Sequence, residues 1–189
     1  SGEVARRNPE MSPEEVRTTA ERIAVAALRY FMVKFSRAKV IAFDIGEALS
    51  FEGESGPYLQ YATVRANNIF QKLKERDGLD EAAIVARLGD TPAGALNEGA
   101  EGDDLWGLVL EAGRLDEMVE QAVRALEPSL LAKHAFGLAQ AFNAAYHRYP
   151  ILNEPDVDAR LWRAAVAAFF RRQMTQALDV MGCEVPVRM

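Results

Sequence analysis

The chain has 189 residues, 49% of them hydrophobic and 26% charged, with a formal net charge of −6 and a single cysteine, Cys183. This balance is that of a soluble globular protein of one large domain, or a domain with an appendage, able to bury a core without staples. One cysteine excludes an internal disulfide and a cysteine-cluster metal site, and fits a reducing, cytoplasmic compartment. No apolar run at the N-terminus serves as a signal peptide. The longest greasy stretch, IAVAALRYFMV, is interrupted by Arg29 and too short to span a bilayer, so no membrane role is expected. Ser1 and Gly2, with no initiator methionine, read as the remnant of a removed tag on a piece of something longer. The acidic balance argues against general nucleic-acid binding, but it is uneven. Residues 1–128 carry 15 Lys and Arg against 23 Asp and Glu, a balance of −8, and residues 129–189 carry 7 against 5, a balance of +2. An acidic chain that binds nucleic acid does so through a local patch and shaped contacts.

In chain order, Ser12-Pro13-Glu14-Glu15 predicts a helix start, with a serine cap, proline at the first helical position and acids on the positive end of the dipole. That helix is expected to reach about residue 35. A connector follows, with one turn expected over Ile45–Leu49 and an irregular glycine-rich stretch at 53–56. Pro57 opens a second helix to about Arg76, and a short one covers about 80–88. The acidic, turn-rich segment GDTPAGALNEGAEGDD reads as a mobile surface loop. From Asp104, the recurrence of Leu105, Leu108, Val109, Ala112, Leu115, Val119, Ala122, Val123 and Leu126 predicts one helix, broken at Glu127-Pro128-Ser129. A fourth helix, about 129–147, buries Leu131, Ala135, Leu138, Phe142 and Ala145. A fifth, about 157–182, carries Trp162, Val166, Phe169, Ala177 and Val180 on one stripe and stops at Gly182. With no alternating strand pattern, the fold class is all-α, a helical bundle of about five long helices.

No catalytic constellation is present. Phosphate-loop, dinucleotide and nucleophile-elbow motifs are absent from the sequence, so no catalytic residue is assigned. His134 and His147 have no metal-ligand spacing; no metal is expected, and His134 reads as a hydrogen-bonded histidine at the edge of the core. Glu14-Glu15 and Asp103-Asp104 read as dipole-stabilising acids at helix starts.

The segment GPYLQYATVRANNIF is different. At about 100° per residue, Leu59, Ala62, Ala66, Ile69, Phe70 and Leu73 share one face of the second helix, and Tyr58, Tyr61, Arg65, Asn68 and Lys72 share the neighbouring one. Tyrosines and an arginine in a core would strand hydroxyls and a charge. Two readings remain on geometry alone: tyrosines packed on a neighbouring helix, or a surface platform on which unpaired bases stack.

The same segment resembles the GPYLQYAHAR helix of the anticodon-binding (DALR) domain of arginyl-tRNA synthetases. Further segments follow in that family's order: NPEMSPEE, ALRYFMVKFSRAKVIAFDIGEAL, LEPSLLAKHAFGLAQAFNAAY with YPIL, and the closing RLWRAAVAAFFRRQMTQALDVMGCEVPVRM. Only the first residues and the loop at 89–102 lie outside the likeness. The resemblance implies residues 1–52 as an N-terminal helix and connector from the junction with a catalytic domain, and 53–189 as an anticodon-binding helical bundle.

It further implies that a tRNA anticodon stem and loop is held by Tyr58, Tyr61 and Arg65, by Tyr146 with Asn143, and by Arg188 with the terminal Met189. Phosphate contacts would come from some of Lys133, Arg160, Arg163, Arg171 and Arg172. The partners implied are arginine tRNA and the chain's own catalytic domain, and the parent is a cytoplasmic, ATP-dependent arginine–tRNA ligase. The HIGH and KMSK-type signatures of that ligase occur nowhere in these residues. This piece is therefore expected to be inactive alone and to hold no cofactor, ATP and arginine belonging to the parent's catalytic domain. Thr63 stands where the family has histidine, and Val187 where it has glutamate. The alternative is a helical module that docks a protein partner, or a synthetase-like domain without tRNA binding.

Overall fold

Helix ends are set by local chemistry. Ser12 accepts from the Glu15 amide at 3.3 Å while the Glu15 carboxylate accepts from the Ser12 amide at 2.8 Å, a reciprocal cap that also holds the Glu15 carboxyl below its ordinary range. Asp44, Ser55, Asp80 and Asp156 cap four further helices one way only, each accepting from a first-turn amide. The computed structural model describes residues 2–89 and 99–189. Among these residues it has nine helices and no strand: α1 (Gly2–Arg7), α2 (Pro13–Val33), α3 (Ile45–Ala48), α4 (Gly56–Asp77), α5 (Glu81–Leu88), α6 (Gly99–Gly113), α7 (Leu115–Ala125), α8 (Ser129–Arg148) and α9 (Val157–Val180).

The all-α bundle is as predicted, with four departures. Residues 2–7 form a short helix that the sequence reading missed, tied by Glu3 to Arg6 and Arg7. The helix predicted from Asp104 to Leu126 is two. Arg114, at φ −83° and ψ 1°, separates α6 from α7 and bonds its amide to Glu111 O. Its guanidinium reaches Glu111 at 3.4 Å and Glu117 at 3.2 Å, one acid on each side of the break. A hydrophobic period does not register a one-residue break of this kind. Third, residues 99–104 of the predicted mobile loop are helical, because α6 begins at Gly99; residues 90–98 of that loop lie outside the described residues. Fourth, the buried stripe of α9 includes Phe170, Met174 and Leu178, whereas Phe169 is half-buried and Val180 is 61% exposed.

Helix α9 runs through the middle, packing against α4, α5, α6 and α8, while α4 also meets α2 and α8, and α7 lies along α8. The core draws Leu59, Ile69 and Leu73 from α4, Leu138 and Phe142 from α8, and Phe170, Met174 and Leu178 from α9. Phe142 and Phe170 stack with centroids 3.9 Å apart. Helices α2 and α4 touch backbone to backbone: a Cβ on Gly56 would lie 2.3 Å from Ala26 O. The Tyr30 hydroxyl, buried on α2, donates to Ala132 O of α8 at 3.0 Å, and that burial, with the Glu54 carboxylate nearby, pushes its pKa up. Lys34 is also buried. Its Nζ lies 2.6 Å from Glu47 Oε1 and 3.0 Å from Glu54 O, between the Phe31 and Phe35 rings, and so pins the 35–54 connector to the end of α2.

Candidate nucleic-acid interface

Helix α4 carries the site on a rigid support. Its apolar face is sealed into the bundle, and Thr63, also buried, donates to Leu59 O at 3.0 Å and points away from the tyrosines. The polar-aromatic face meets α8, and Asn143 joins the two. Asn143 Nδ2 donates to the Tyr58 hydroxyl at 3.0 Å, and its Oδ1 accepts from Arg65 Nη1 at 2.8 Å. Arg65 Nη2 donates in turn to the Tyr61 hydroxyl at 3.1 Å. The Arg65 guanidinium lies 4.8 Å from the Tyr61 ring centroid and 5.8 Å from that of Tyr146, which stacks on Phe142.

Thus Tyr58, Tyr61, Arg65, Asn143 and Tyr146 come together as one connected cluster. Their exposure differs from the expectation of a wholly outward stripe. Tyr61 is exposed, while Tyr58, Arg65, Asn143 and Tyr146 are half-buried, because Tyr58 leans on Phe136 and Tyr146 on Phe142. Tyr58 and Tyr146 thus pack against α8 side chains, while the Tyr61 ring stays open. Asn143 takes the hydroxyl and the guanidinium that burial would have stranded.

Asn68, two turns after Tyr61 on the same face, leads from the cluster into a groove of about 840 Å³ between α4 and α9. Asn67 and Gln71 line it from α4, Arg172 and Gln176 from α9, and Val185 to Val187 close its rim. Amide side chains both donate and accept, as a surface reading base edges requires. Of this lining, Asn68 and the arginines carry a signal in the sequence, as does Val187 by its departure from the family; Asn67 and Gln71 are legible as polar neighbours of the stripe, and Gln176 carries none.

Arg188 stands elsewhere. The Arg188 guanidinium is 3.2 Å from Glu10 Oε1, just before α2, so it does not join the tyrosine cluster, and Met189 is half-buried. The attraction of the Glu10 carboxylate draws the end of the tail toward α2, and the tail residues rimming the groove are Val185 to Val187.

The basic residues separate by environment. Lys133 and Arg172 are exposed, and Arg160 is half-buried with Nη1 3.4 Å from Glu154 O. Arg171 pairs with Glu81 and lies over the Phe70 ring. Arg163 corrects the expectation of a phosphate contact. It is buried, its Nε 2.6 Å from Glu101 Oε1 and its Nη1 2.6 Å from Glu154 Oε2 and 2.8 Å from Pro150 O. Burial opposes its charge, and the two carboxylates more than compensate, holding its pKa above the ordinary value. This side chain joins α6, α9 and the 149–155 turn.

Asp104 is not a helix-start acid, since α6 begins earlier; it accepts from the Tyr149 hydroxyl at 2.8 Å and pairs with Arg148. His134 is the core-edge histidine expected, its Nδ1 3.0 Å from Glu111 Oε1. Among the described residues no group of three or more His, Cys, Asp or Glu is placed to hold a metal ion, and no helix is long and apolar enough to cross a membrane.

The DALR anticodon binding domain family matches residues 59–189. An arginine–tRNA ligase of Methanococcoides burtonii is 35% identical over 189 residues, covering 99% of this chain and 31% of the relative. One of Halorubrum lacusprofundi is 33% identical over 187 residues, covering 97% and 31%. The arginyl-tRNA synthetase of Thermus thermophilus superposes with a TM-score of 0.79 at 28% identity over 100% of this chain and 30% of its own. The chain thus spans about a third of the length of the relatives it matches. Matched over more than half its residues, it belongs to the DALR anticodon binding domain family.

Proposed function

We propose that this DALR anticodon binding domain receives the anticodon stem and loop of arginine tRNA, as part of a cytoplasmic arginine–tRNA ligase that couples arginine to tRNA with ATP. The observation that carries this reading is the Tyr58–Asn143–Arg65–Tyr61 chain of hydrogen bonds, which holds an exposed ring and a guanidinium rigidly beside an amide-lined groove. A splayed base stacks on such a ring, and a guanidinium with donors to spare takes a phosphate or a base edge. Lys133 and Arg172, exposed and basic, supply the sequence-independent part of affinity, and the tyrosine cluster with Asn68 supplies the discrimination.

The parent's catalytic part, with its ATP and arginine, would pack on the N-terminal side. Val25, Leu28 and Met32 recur on the outer face of α2 and are each about half exposed, although the inner face of that helix is already buried on α4. A helix apolar on both sides belongs inside a larger assembly.

Titration of the chain with arginine tRNA and with a mismatched tRNA across a salt series tests the reading. Tighter binding of arginine tRNA that persists as salt rises is the expected result. Equal affinities for the two RNAs would point instead to a protein-docking module.

A further inference from the structure

Gln60 stands between Tyr58 and Tyr61 but turns the other way and is sealed from solvent. Its Nε2 donates to two main-chain carbonyls from distant parts of the chain, Arg22 O on α2 at 3.2 Å and Glu184 O in the C-terminal tail at 2.6 Å. Two acceptors fix which end of the amide faces them, and Oε1 is left buried without a partner. A buried amide with one unsatisfied atom is costly where an apolar side chain would fit, so its two donated bonds are what recommend it.

We propose that Gln60 is the positioning residue of the C-terminal tail: an amide clamp that holds Glu184 against α2 and α4, so that Val185 to Val187 close the groove and support RNA binding there. The second half of this statement rests on the RNA reading above. Gln60, Asn67 and Gln71 recur along one edge of α4, so the edge that grips Glu184 becomes, two turns on, the wall of the groove. Cys183, just before Glu184, is sealed in the core, but the other polar side-chain anchors of the tail are more open to water. Arg29 Nη1 donates to Gly182 O at 2.7 Å, and the Arg22–Glu184 and Arg188–Glu10 pairs, at 2.9 Å and 3.2 Å, are largely exposed. Exposed pairs of this kind contribute little and are screened by salt. Of the polar side-chain anchors, the buried clamp is the one that salt does not loosen.

The test compares the unsubstituted chain, Gln60→Leu, a chain ending at Glu184, and the two changes combined. Hydrogen exchange is read at the amides of residues 183–185 and in α8 and α9, and affinity is read with a synthetic anticodon stem-loop of arginine tRNA. In Gln60→Leu, tail exchange is expected to quicken about tenfold or more while α8 and α9 keep their protection. Gln60→Leu and the truncation are expected to weaken RNA binding by the same factor, with no further loss on combination. Unchanged tail exchange, or an equal loss of protection in α8 and α9, overturns the clamp. Additive losses of affinity overturn its action through the tail. A released tail with RNA affinity unaltered in every variant keeps the clamp and overturns the groove's part in RNA binding. Should Gln60→Leu not fold, Gln60→Asn, which keeps the amide but withdraws it by one methylene, is judged by the same criteria.

Discussion

Arg65 Nη1 donates to Asn143 Oδ1 at 2.8 Å, joining α4 to α8 between residues 78 positions apart in sequence. The same asparagine holds the Tyr58 hydroxyl, so one amide orients both a ring and a guanidinium. Side chains held in this way have little freedom left to lose.

Tyr61 and Tyr146 are expected to respond differently to truncation. Tyr61→Ala removes an exposed ring and is expected to weaken binding of an anticodon stem-loop by about 1–3 kcal/mol with little change in Tm. Tyr146 is half-buried on Phe142, so Tyr146→Ala is expected to lower Tm as well as affinity. Calorimetric melting beside an RNA titration checks both. Full RNA affinity in Tyr61→Ala would remove the stacking role.

Arg163 and Arg172 lie on opposite sides of α9. Arg163→Met leaves Glu101 and Glu154 without their partner in a partly buried place and is expected to destabilise the fold by about 3 kcal/mol, with the RNA affinity of the folded fraction unchanged. Arg172→Ala is expected to leave stability within about 0.5 kcal/mol and to reduce the salt slope of RNA binding by about one. Denaturant unfolding and a salt series separate the two, and a reversed pattern would reassign both.

Gly56→Ala is expected to cost about 1–3 kcal/mol, because the new methyl would meet the Ala26 carbonyl, which is main chain and has no rotamer to yield. Adding a methyl at Gly107, which has open space around it, is the control and is expected to be neutral or stabilising. Urea midpoints of the two variants decide the matter. Equal midpoints would mean that α2 and α4 separate at little cost.

Acid is expected to destabilise the fold in a defined sense. The Tyr149 hydroxyl first, with Arg148, holds the Asp104 carboxyl below its ordinary value, and the Ser129 and Ser36 hydroxyls do the same for Glu127. Groups depressed in the folded state contribute stability above their unfolded values, which lie at about 4, and lose it as pH falls through the folded ones. Urea midpoints are therefore expected to be level near neutrality and to fall below about pH 4. Asp104→Asn is expected to soften that fall, and an unchanged acid slope would assign it to other carboxylates.

The sequence by itself determined the helices and the family. Caps, helix-opening prolines and apolar recurrence act within about four residues, so Ser12-Pro13 and Pro57 announced their helices, and the all-α class was legible although the 2–7 helix was not. The spacing of Tyr58, Tyr61 and Arg65 was legible for the same reason. The break at Arg114 was not, because a single non-helical residue hardly disturbs the hydrophobic period on either side. Arg163 shares its helical face with Ala167, Phe170 and Met174, which is legible in the sequence, but only the fold brings Glu101 from 62 positions away to neutralise it. Tertiary structure alone decided that Asn143 would bridge the tyrosine cluster, that Arg188 would turn to Glu10, and that Gln60 would grip a carbonyl 124 residues along the chain. Side-chain periodicity says which way a residue points from its own helix. What it finds there depends on how separate helices pack, which no local rule contains.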